Sequence, residues 1–533
     1  MTSSCLVPAH SIIPQNSKNK IISFSKSSRS MSEIILFLDR EFSIEMTTDQ
    51  EIINSYDHDW SNIKGTADGL CRPINILESS IIIMLCNLLK IPITISAGRT
   101  NLTGSATPNG GIILSISRMN TIDDFDVDSK TIQVSPGVYI EDIRNYVLNE
   151  SKNNLIFPVD PTSRKEAMLG GALSCNASGF VPGEKGAMRY WVDSIRLILS
   201  NGNIVNASRG QYKSKENKFI IHHDNGEQQI IPIPIYKRPN IKNASGPYTV
   251  NDGEIDFIDL IIGSEGIFGC IASATLRLQN KPFDYLNLFI KLKEEKDAFF
   301  LYDDISRYLD GEMSSLSGLE YFGKNCSLYM DNYDYFFNNK YRVGVYLQIP
   351  VYNTKIDSVI EEWYEILTNL NYINEENQII SLNDSKSWRI FFDSRHSIPA
   401  NALQKSKEYN TASIITDTIV PPHSFKEFIT ETHKLIQSKN IEYLLFGHLG
   451  DCHLHFHLIP NQNNETEANG CYREIIQLSA KLGGVYSAEH GTGKRKKIDF
   501  IECYGETASK QLFTCKTSFD PNFIFNVGNI FDK

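Results

Sequence analysis

Residues 446–458 read FGHLGDCHLHFHL, which sets four histidines within ten positions. In an extended strand alternate residues share a face, so His453, His455 and His457 point one way and Leu454, Phe456 and Leu458 the other. His448 precedes His455 by seven positions, an odd offset that a straight strand would turn to the opposite face. Gly450 and Asp451 supply a break that could bring it back. One histidine on a sheet face is an ordinary satisfied polar residue, whereas four opposite an apolar face favour a metal or catalytic site. Glu489 and His490 follow in GGVYSAEHGTGKRKK (483–497). With the histidines they offer nitrogen and oxygen donors suited to Zn²⁺ or a similar divalent ion. Adjacent side chains diverge, so Glu489 and His490 are expected to have different roles.

A second stretch, IPITISAGRTNLTGSATPNGGIILSIS (91–117), reads as strand, loop and strand. Its loop carries Gly98, Gly104, Gly110 and Gly111, with Arg99, Thr100, Asn101, Thr103 and Ser105 between them. Glycine lets main-chain N–H groups converge on an anion, and the hydroxyls and amide add donors, so the physical reading is a phosphate cradle. The plainer alternative is a hairpin connection. Neither the Rossmann nor the Walker pattern is present, because the Lys-Ser/Thr pair is missing and strand, not helix, follows.

These residues need elements to hold them. Residues 81–89 (IIIMLCNLL) are expected to form a buried helix stopped before Pro92, far short of the roughly 20 residues that span a bilayer. Strand patterns recur at TIQVSPGV (131–138), SIRLILSNGNIV (194–205) and CIASATLRLQ (270–279), with a helical period over 139–149, which gives an α+β class. Beyond residue 282, YLNLFIKL (285–292), YRVGVYLQIP (341–350) and the helix-like IDSVIEEWYEIL (356–367) suggest a second α+β domain meeting the first at a ligand-binding interface. Residues 1–30, rich in Ser, Lys and Asn and free of acidic residues, are expected to be a disordered tail, with Met31 a conceivable alternative start.

A chain of 533 residues implies two or three domains, and its formal net charge of −11 argues against a nucleic-acid partner. The basic run 494–497 is expected to be a solvated face or a local anion contact. Ten cysteines stand singly with no C-x-x-C, which fits a reducing compartment and leaves no built-in ferredoxin-type cluster. Electrons from a redox reaction would then leave for an external acceptor.

The cradle resembles the pyrophosphate-binding loop of FAD-linked oxidases and dehydrogenases of the vanillyl-alcohol oxidase (PCMH) type, with Arg99, Asn101 and Ser105 where glycine is frequent. PVDPTS (158–163) and GGALSCNASG (170–179) resemble the second and third flavin-contacting segments, and GSEGIFG (263–269) the one at the adenine end. The resemblance implies FAD contacts from Gly98, Arg99, Thr100, Asn101, Leu102, Gly104, Ser105, Pro161 and Ser163. It extends them to Gly170, Gly171, Asn176, Gly179, Glu265, Gly266 and Ile271. No histidine occurs between Trp60 and Ile220, so the FAD is expected to be non-covalent. Residues 209–252 read as an elaborated loop within this flavin domain, ending in KNASG (242–246).

The pairing of GHLGDCHLH (447–455) with EHGTG (489–493) resembles the D-2-hydroxyacid dehydrogenases, a family acting on D-lactate, glycolate and D-2-hydroxyglutarate. It implies that His448, His455 and Glu489 bind the metal, expected to be zinc, and that His490 is the base. Cys452 and His453 replace the family's usual Gly-Asn, and His457 stands where a substrate-contacting Asn is common. FDSR (392–395) resembles the family's Trp-x-x-Arg and makes Arg395 the candidate for the substrate carboxylate. Asn526, in the family-like tail FDPNFIFNVGNIF (519–531), joins the expected substrate contacts. Ile415, beside TDTIVP (416–421), stands where hydroxyglutarate-specific enzymes carry Lys and favours a monocarboxylate.

The resemblance thus implies three stretches: a lead-in over 1–65, an FAD-binding PCMH-type domain over 66–282, and an α+β substrate and metal domain over 283–533. The expected activity is FAD- and metal-dependent oxidation of a D-2-hydroxy acid. Its electrons would pass to a quinone, a cytochrome or an electron-transfer flavoprotein. The alternatives are an oxygen-using oxidase and a non-catalytic flavin-binding subunit. A cytoplasmic or membrane-peripheral location is expected, or a mitochondrial one in a eukaryote.

Overall fold

The computed structural model describes residues 4–250, 253–352 and 356–532. The helix that precedes the cradle, Ile76–Leu89, starts on Asn75, whose side chain accepts the Glu78 N–H, and ends on Lys90 in the left-handed conformation. It buries Ile81, Ile82, Ile83, Leu85 and Cys86, so it runs through the core rather than along a surface. No helix among the described residues is long and apolar enough to cross a membrane.

The strands around the cradle, Ile93–Ser96 and Ile112–Ser115, pair in parallel. Parallel neighbours cannot be joined by a hairpin, so the intervening loop must cross over, and the hairpin alternative falls. They belong to a small sheet of four strands. Beside it stands a sheet of eight, in which Val192–Ile198 lies between Ile204–Ser208 and Cys270–Arg277.

Two expectations are corrected in this larger sheet. Residues 4–30 are not a tail: the strand Leu6–His10 pairs in parallel with Lys218–His223 and antiparallel with Ile204–Ser208, burying Val7 and Ala9. The helix Gln15–Phe24 follows and buries Ile21. Met31 opens the helix Met31–Phe42 behind a Ser30–Glu33 capping box, so a start there would discard an inserted strand. Nor is 209–252 simply a loop, because Lys218–His223 and Gln228–Pro232 form a hairpin at the sheet edge. The buried Phe219 and Ile221, with Ile231 paired across from Phe219, give it an apolar face that polar neighbours mask in the composition.

The second sheet has seven strands, in the order Ile379–Ser381, Asp284–Leu292, Val343–Val351, Gly318–Phe322, Glu442–His448, His453–Ile459 and Ile414–Ile415. Its covering helices include Glu295–Tyr308, Ile356–Thr368 and Pro422–Ser438, which share one apolar cluster with its strands. The last part of the chain does not stay with this sheet. The helix Lys497–Phe519 places Phe500, Leu512, Cys515 and Phe519 in the same core as Leu197 and Leu276 of the eight-stranded sheet. This end of the chain thus also packs against the first half.

Candidate functional site

The histidine-rich segment folds as a tight antiparallel hairpin. Strands Glu442–His448 and His453–Ile459 are joined through Leu449–Asp451, with Cys452 left-handed at φ 55°. His448 is thereby set directly across from His453, on the same side as His455. Leu454, Phe456 and Leu458 occupy the opposite face, in the apolar core of the sheet.

Glu489 gathers the imidazoles. Its carboxylate lies 3.6 Å from His448 Nε2, 3.4 Å from His455 Nε2 and 3.4 Å from His490 Nε2. Each ring is oriented from its far side. His448 Nδ1 is 2.6 Å from Glu320 Oε1, and His455 Nδ1 donates to the Thr416 carbonyl at 3.0 Å. A carbonyl can only accept, so a neutral His455 keeps its Nε2 lone pair facing Glu489. His490 Nδ1 lies 3.5 Å from Asp417 Oδ2, and the buried His453 turns Nε2 to Asp417 Oδ1 at 3.3 Å.

Asp417 and Glu320 are the site residues that sequence reasoning did not assign. Asp417 accepts from the main-chain N–H of Glu489 (3.2 Å) and of His490 (3.0 Å), from Ser487 Oγ (2.7 Å) and from Lys496 Nζ (2.8 Å). It thereby pins the segment that carries Glu489 and His490. Lys496 is buried in this contact, so within the basic run the local anion contact prevails over a solvated face. Glu320 is shared between His448 and Arg395, whose Nη2 donates to it at 2.7 Å.

Charge sets the protonation states. Burial alone would raise Asp417, but His490, Lys496 and His453 hold it well below the usual carboxylate range. Glu489 and Glu320 are likewise held down against burial, in each case by His448 first. Burial would lower His448, yet the Glu320 and Glu489 carboxylates hold it up at about 9. His453 and His457 feel mainly burial and fall to about 4, so both are neutral at pH 7.

The cluster forms one wall of a cavity of about 490 Å³. His448, His455, Glu489, His490 and Arg395 line it on one side. The same cavity is lined by Gly98, Arg99, Thr100, Asn101, Leu102, Ser105, Pro161, Ser163, Gly170, Gly171, Gly179, Glu265, Gly266 and Ile271, all expected FAD contacts. Two expected contacts fall outside this lining. Gly104, at φ 82°, packs against Ile63 and gives its carbonyl to Lys494 Nζ. Asn176 accepts the Arg189 N–H at 2.9 Å and faces a different cavity.

Three further expectations are altered. His457 is buried and lines neither cavity, so it is not placed to touch a substrate there. Asn526 lines the first cavity, but its amide accepts from Ile95 N at 2.8 Å and donates to Glu265 O at 2.7 Å. It ties the chain terminus to the cradle instead of offering free groups. Arg395 spends Nε and Nη2 on Glu320 and lies over the Phe180 ring at 4.4 Å, which fixes the guanidinium rigidly. Glu265 also has a second role, since its buried carboxylate accepts from Ser105 Oγ at 2.6 Å and from Thr492 N and Gly493 N at 2.7 Å. It joins the two walls.

The residues present fit the groups expected here. Glycines 98, 170, 171, 179, 266 and 269 strip the cavity wall to main chain, with hydroxyls of Thr100, Ser105, Thr162 and Ser163 among them, as close approach of a dinucleotide requires. His448, His455 and Glu489, together with His453, bring three ring nitrogens and a carboxylate oxygen within 4.8 Å of one another. The His448 and His455 rings carry an oxygen partner on the far nitrogen, the arrangement of metal-ligating histidines. Asp417, Glu489 and His490 form a second such group, but Asp417 is already filled by Lys496 and three other donors.

Residues 67–208 match the family model described as an FAD binding domain, and residues 354–530 match the FAD linked oxidases, C-terminal domain. The chain is 25% identical to a D-lactate dehydrogenase of Anaerostipes hadrus over 90% of its own length and 93% of the relative. It is 23% identical to a D-2-hydroxyglutarate dehydrogenase of Xanthomonas citri pv. viticola, over 92% of this chain and 94% of that one. The fold is that of p-cresol methylhydroxylase, solved with substrate bound: the TM-score is 0.65 at 15% identity, covering 98% of this chain and 99% of that one. An FAD-binding domain of the PCMH type, the C-terminal domain of FAD linked oxidases and full-length relatives named as dehydrogenases together make this chain an FAD-dependent oxidoreductase.

Proposed function

We propose that the protein oxidises a D-2-hydroxy monocarboxylate, of which D-lactate is the simplest, to the 2-oxo acid, and passes the electrons to an acceptor outside the chain. The observation that carries this reading is the Glu489 carboxylate gathered against His448, His455 and His490 in a cavity that is also lined by glycine-rich main chain. The D configuration is supported by the relatives named for D-lactate and D-2-hydroxyglutarate.

Bound FAD supplies the acceptor for the hydride that leaves the substrate carbon. A divalent ion, zinc by the donor chemistry, would be held by His448, His455 and Glu489 and would act as a Lewis acid on the substrate hydroxyl.

His490 takes the hydroxyl proton at Nε2, because Asp417 holds the ring by Nδ1. Loss of that proton and of the hydride leaves the C=O of the 2-oxo acid. Arg395 turns its remaining nitrogen, Nη1, to the substrate carboxylate, and its fixed guanidinium sets the angle of the C–H. Ile415 lines the same cavity and offers an apolar surface where a second carboxylate would need a cation. Glu320, touching both Arg395 and His448, positions the carboxylate-binding and hydroxyl-binding ends as one unit.

The test is anaerobic bleaching of the flavin absorbance by D- and L-lactate, before and after chelation. Bleaching by the D isomer that chelation abolishes is expected. Yellow, metal-replete protein that no 2-hydroxy acid bleaches would remove the substrate class. Oxygen consumed without added acceptor would replace the dehydrogenase by an oxidase.

A further inference from the structure

A second cavity, also of about 490 Å³, lies in the FAD-binding half and shares no lining residue with the first. Its walls carry Arg189, Arg209, Arg238, Arg277 and Lys242, in a chain whose formal net charge is −11. Lys242 is neutralised by an ion pair with Asp451. The four guanidiniums then face two lining carboxylates, Asp259 and Glu184, which leaves a surplus of two positive charges. Asp259 is itself occupied by Arg209 at 3.0 Å and by Arg189 at 3.7 Å.

Structural duty accounts for part of this array only. Arg209 spends its three nitrogens on Val192 O, Asp259 and Arg189 O, and Arg238 clamps the carbonyls of Asn243, Gly246 and Pro247. Arg189 and Arg277, by contrast, each give Nη2 to one carbonyl, of Ile262 and Tyr190. Their Nη1 groups meet no protein acceptor among the described residues. Arg189 and Arg238 also share the Tyr248 ring, at 4.6 and 5.5 Å from its centroid, so two like charges are held close together. Burial and then Arg238 push Arg189 down to about 10, against the pull of Asp259.

We propose that this cavity binds a small multivalent oxyanion, a phosphate monoester or a dicarboxylate, at a site separate from the flavin cavity. The guanidinium fork matches either ligand, and an anion there offsets the surplus charge. Occupancy bears on the flavin side through Gly263. A Cβ there would meet Arg189 Nη2 at 3.0 Å and the Asn176 side chain at 3.2 Å. This glycine opens the 263–269 segment, whose Glu265, Gly266 and Gly269 line the flavin cavity.

The test is calorimetric titration of the holoenzyme with inorganic phosphate and with malonate, each against sodium chloride at equal ionic strength. Asn240 is an exposed lining residue without a hydrogen bond among the described residues, so Asn240→Asp adds a negative charge to the wall without removing a clamp. One saturable site is expected, weakened about tenfold by Asn240→Asp and by Arg277→Gln. Saturation by phosphate alone identifies the phosphate-ester class, and by malonate alone the dicarboxylate class. Heats no larger than those of chloride overturn the proposal. So does saturable binding that neither variant weakens, which would place the anion elsewhere, Arg395 included.

Discussion

The two walls of the flavin cavity are built by opposite means. One is main chain, brought close by glycines and held by carbonyls and hydroxyls; the other is a knot of ionisable side chains whose charges fix one another. The first leaves room for a large ligand to approach the backbone, because its glycines carry no side chain. The second sets proton positions, because His448, His455 and His490 each have one ring nitrogen facing an oxygen and the other turned to Glu489. Substitutions should therefore separate cofactor retention from turnover according to the wall they strike.

The largest separation is expected from Glu489→Gln, which removes the charge that all three rings face. Turnover should fall roughly 10⁴-fold, as loss of several kcal/mol of transition-state stabilisation requires, with flavin retained and bound metal lost by elemental analysis. His490→Asn should cost roughly 10³-fold with both flavin and metal retained. Equal loss of flavin would show that the walls are not independent.

The converse test is Gly98→Ala. A Cβ there would meet the Glu166 carbonyl at 2.0 Å, so the cradle must shift. Flavin content should fall while metal content holds, and thermal stability should drop by about 1–3 kcal/mol. Glu265→Gln strikes the joint between the walls. Its amide would oppose one of the N–H groups of Thr492 and Gly493, so flavin and metal should both weaken, at a cost of about 1–3 kcal/mol.

The smallest effect sharpens the electrostatic half of the comparison. His448 is protonated at pH 7 in the metal-free protein, because its pKa is held up at about 9. A metal must displace that proton, so affinity should rise with pH by about tenfold per unit between 7 and 9 and then level off. Affinity that is flat over this window would show that His448 releases no proton on metal binding.

Much of this was legible in the sequence because it is local. Four histidines in ten residues, a Glu-His pair between glycines, and glycine-rich turns announce their chemistry wherever the chain carries them. Asp417 and Glu320 did not, since an acidic residue in a short strand-like segment looks like any surface charge. Their significance lies in partners 73 and 128 residues away. The same distance hid the first strand. LVPAH is a poor strand by itself, with Pro8 lacking an N–H, and only partners near residues 205 and 221 give it a place. For His457 the resemblance implied a substrate contact, whereas the side chain is buried and does not line the cavity.

That first strand has a consequence for how the protein is made. Leu6–His10 leaves the ribosome about 200 residues before either strand it pairs with, which at typical synthesis rates is a wait of about 10–40 s. During that interval Val7 and Ala9 have no sheet to enter, and the segment is an unclaimed β-edge in a crowded cell. Slowing translation between residues 10 and 200 would lengthen the wait without altering a single atom of the finished enzyme.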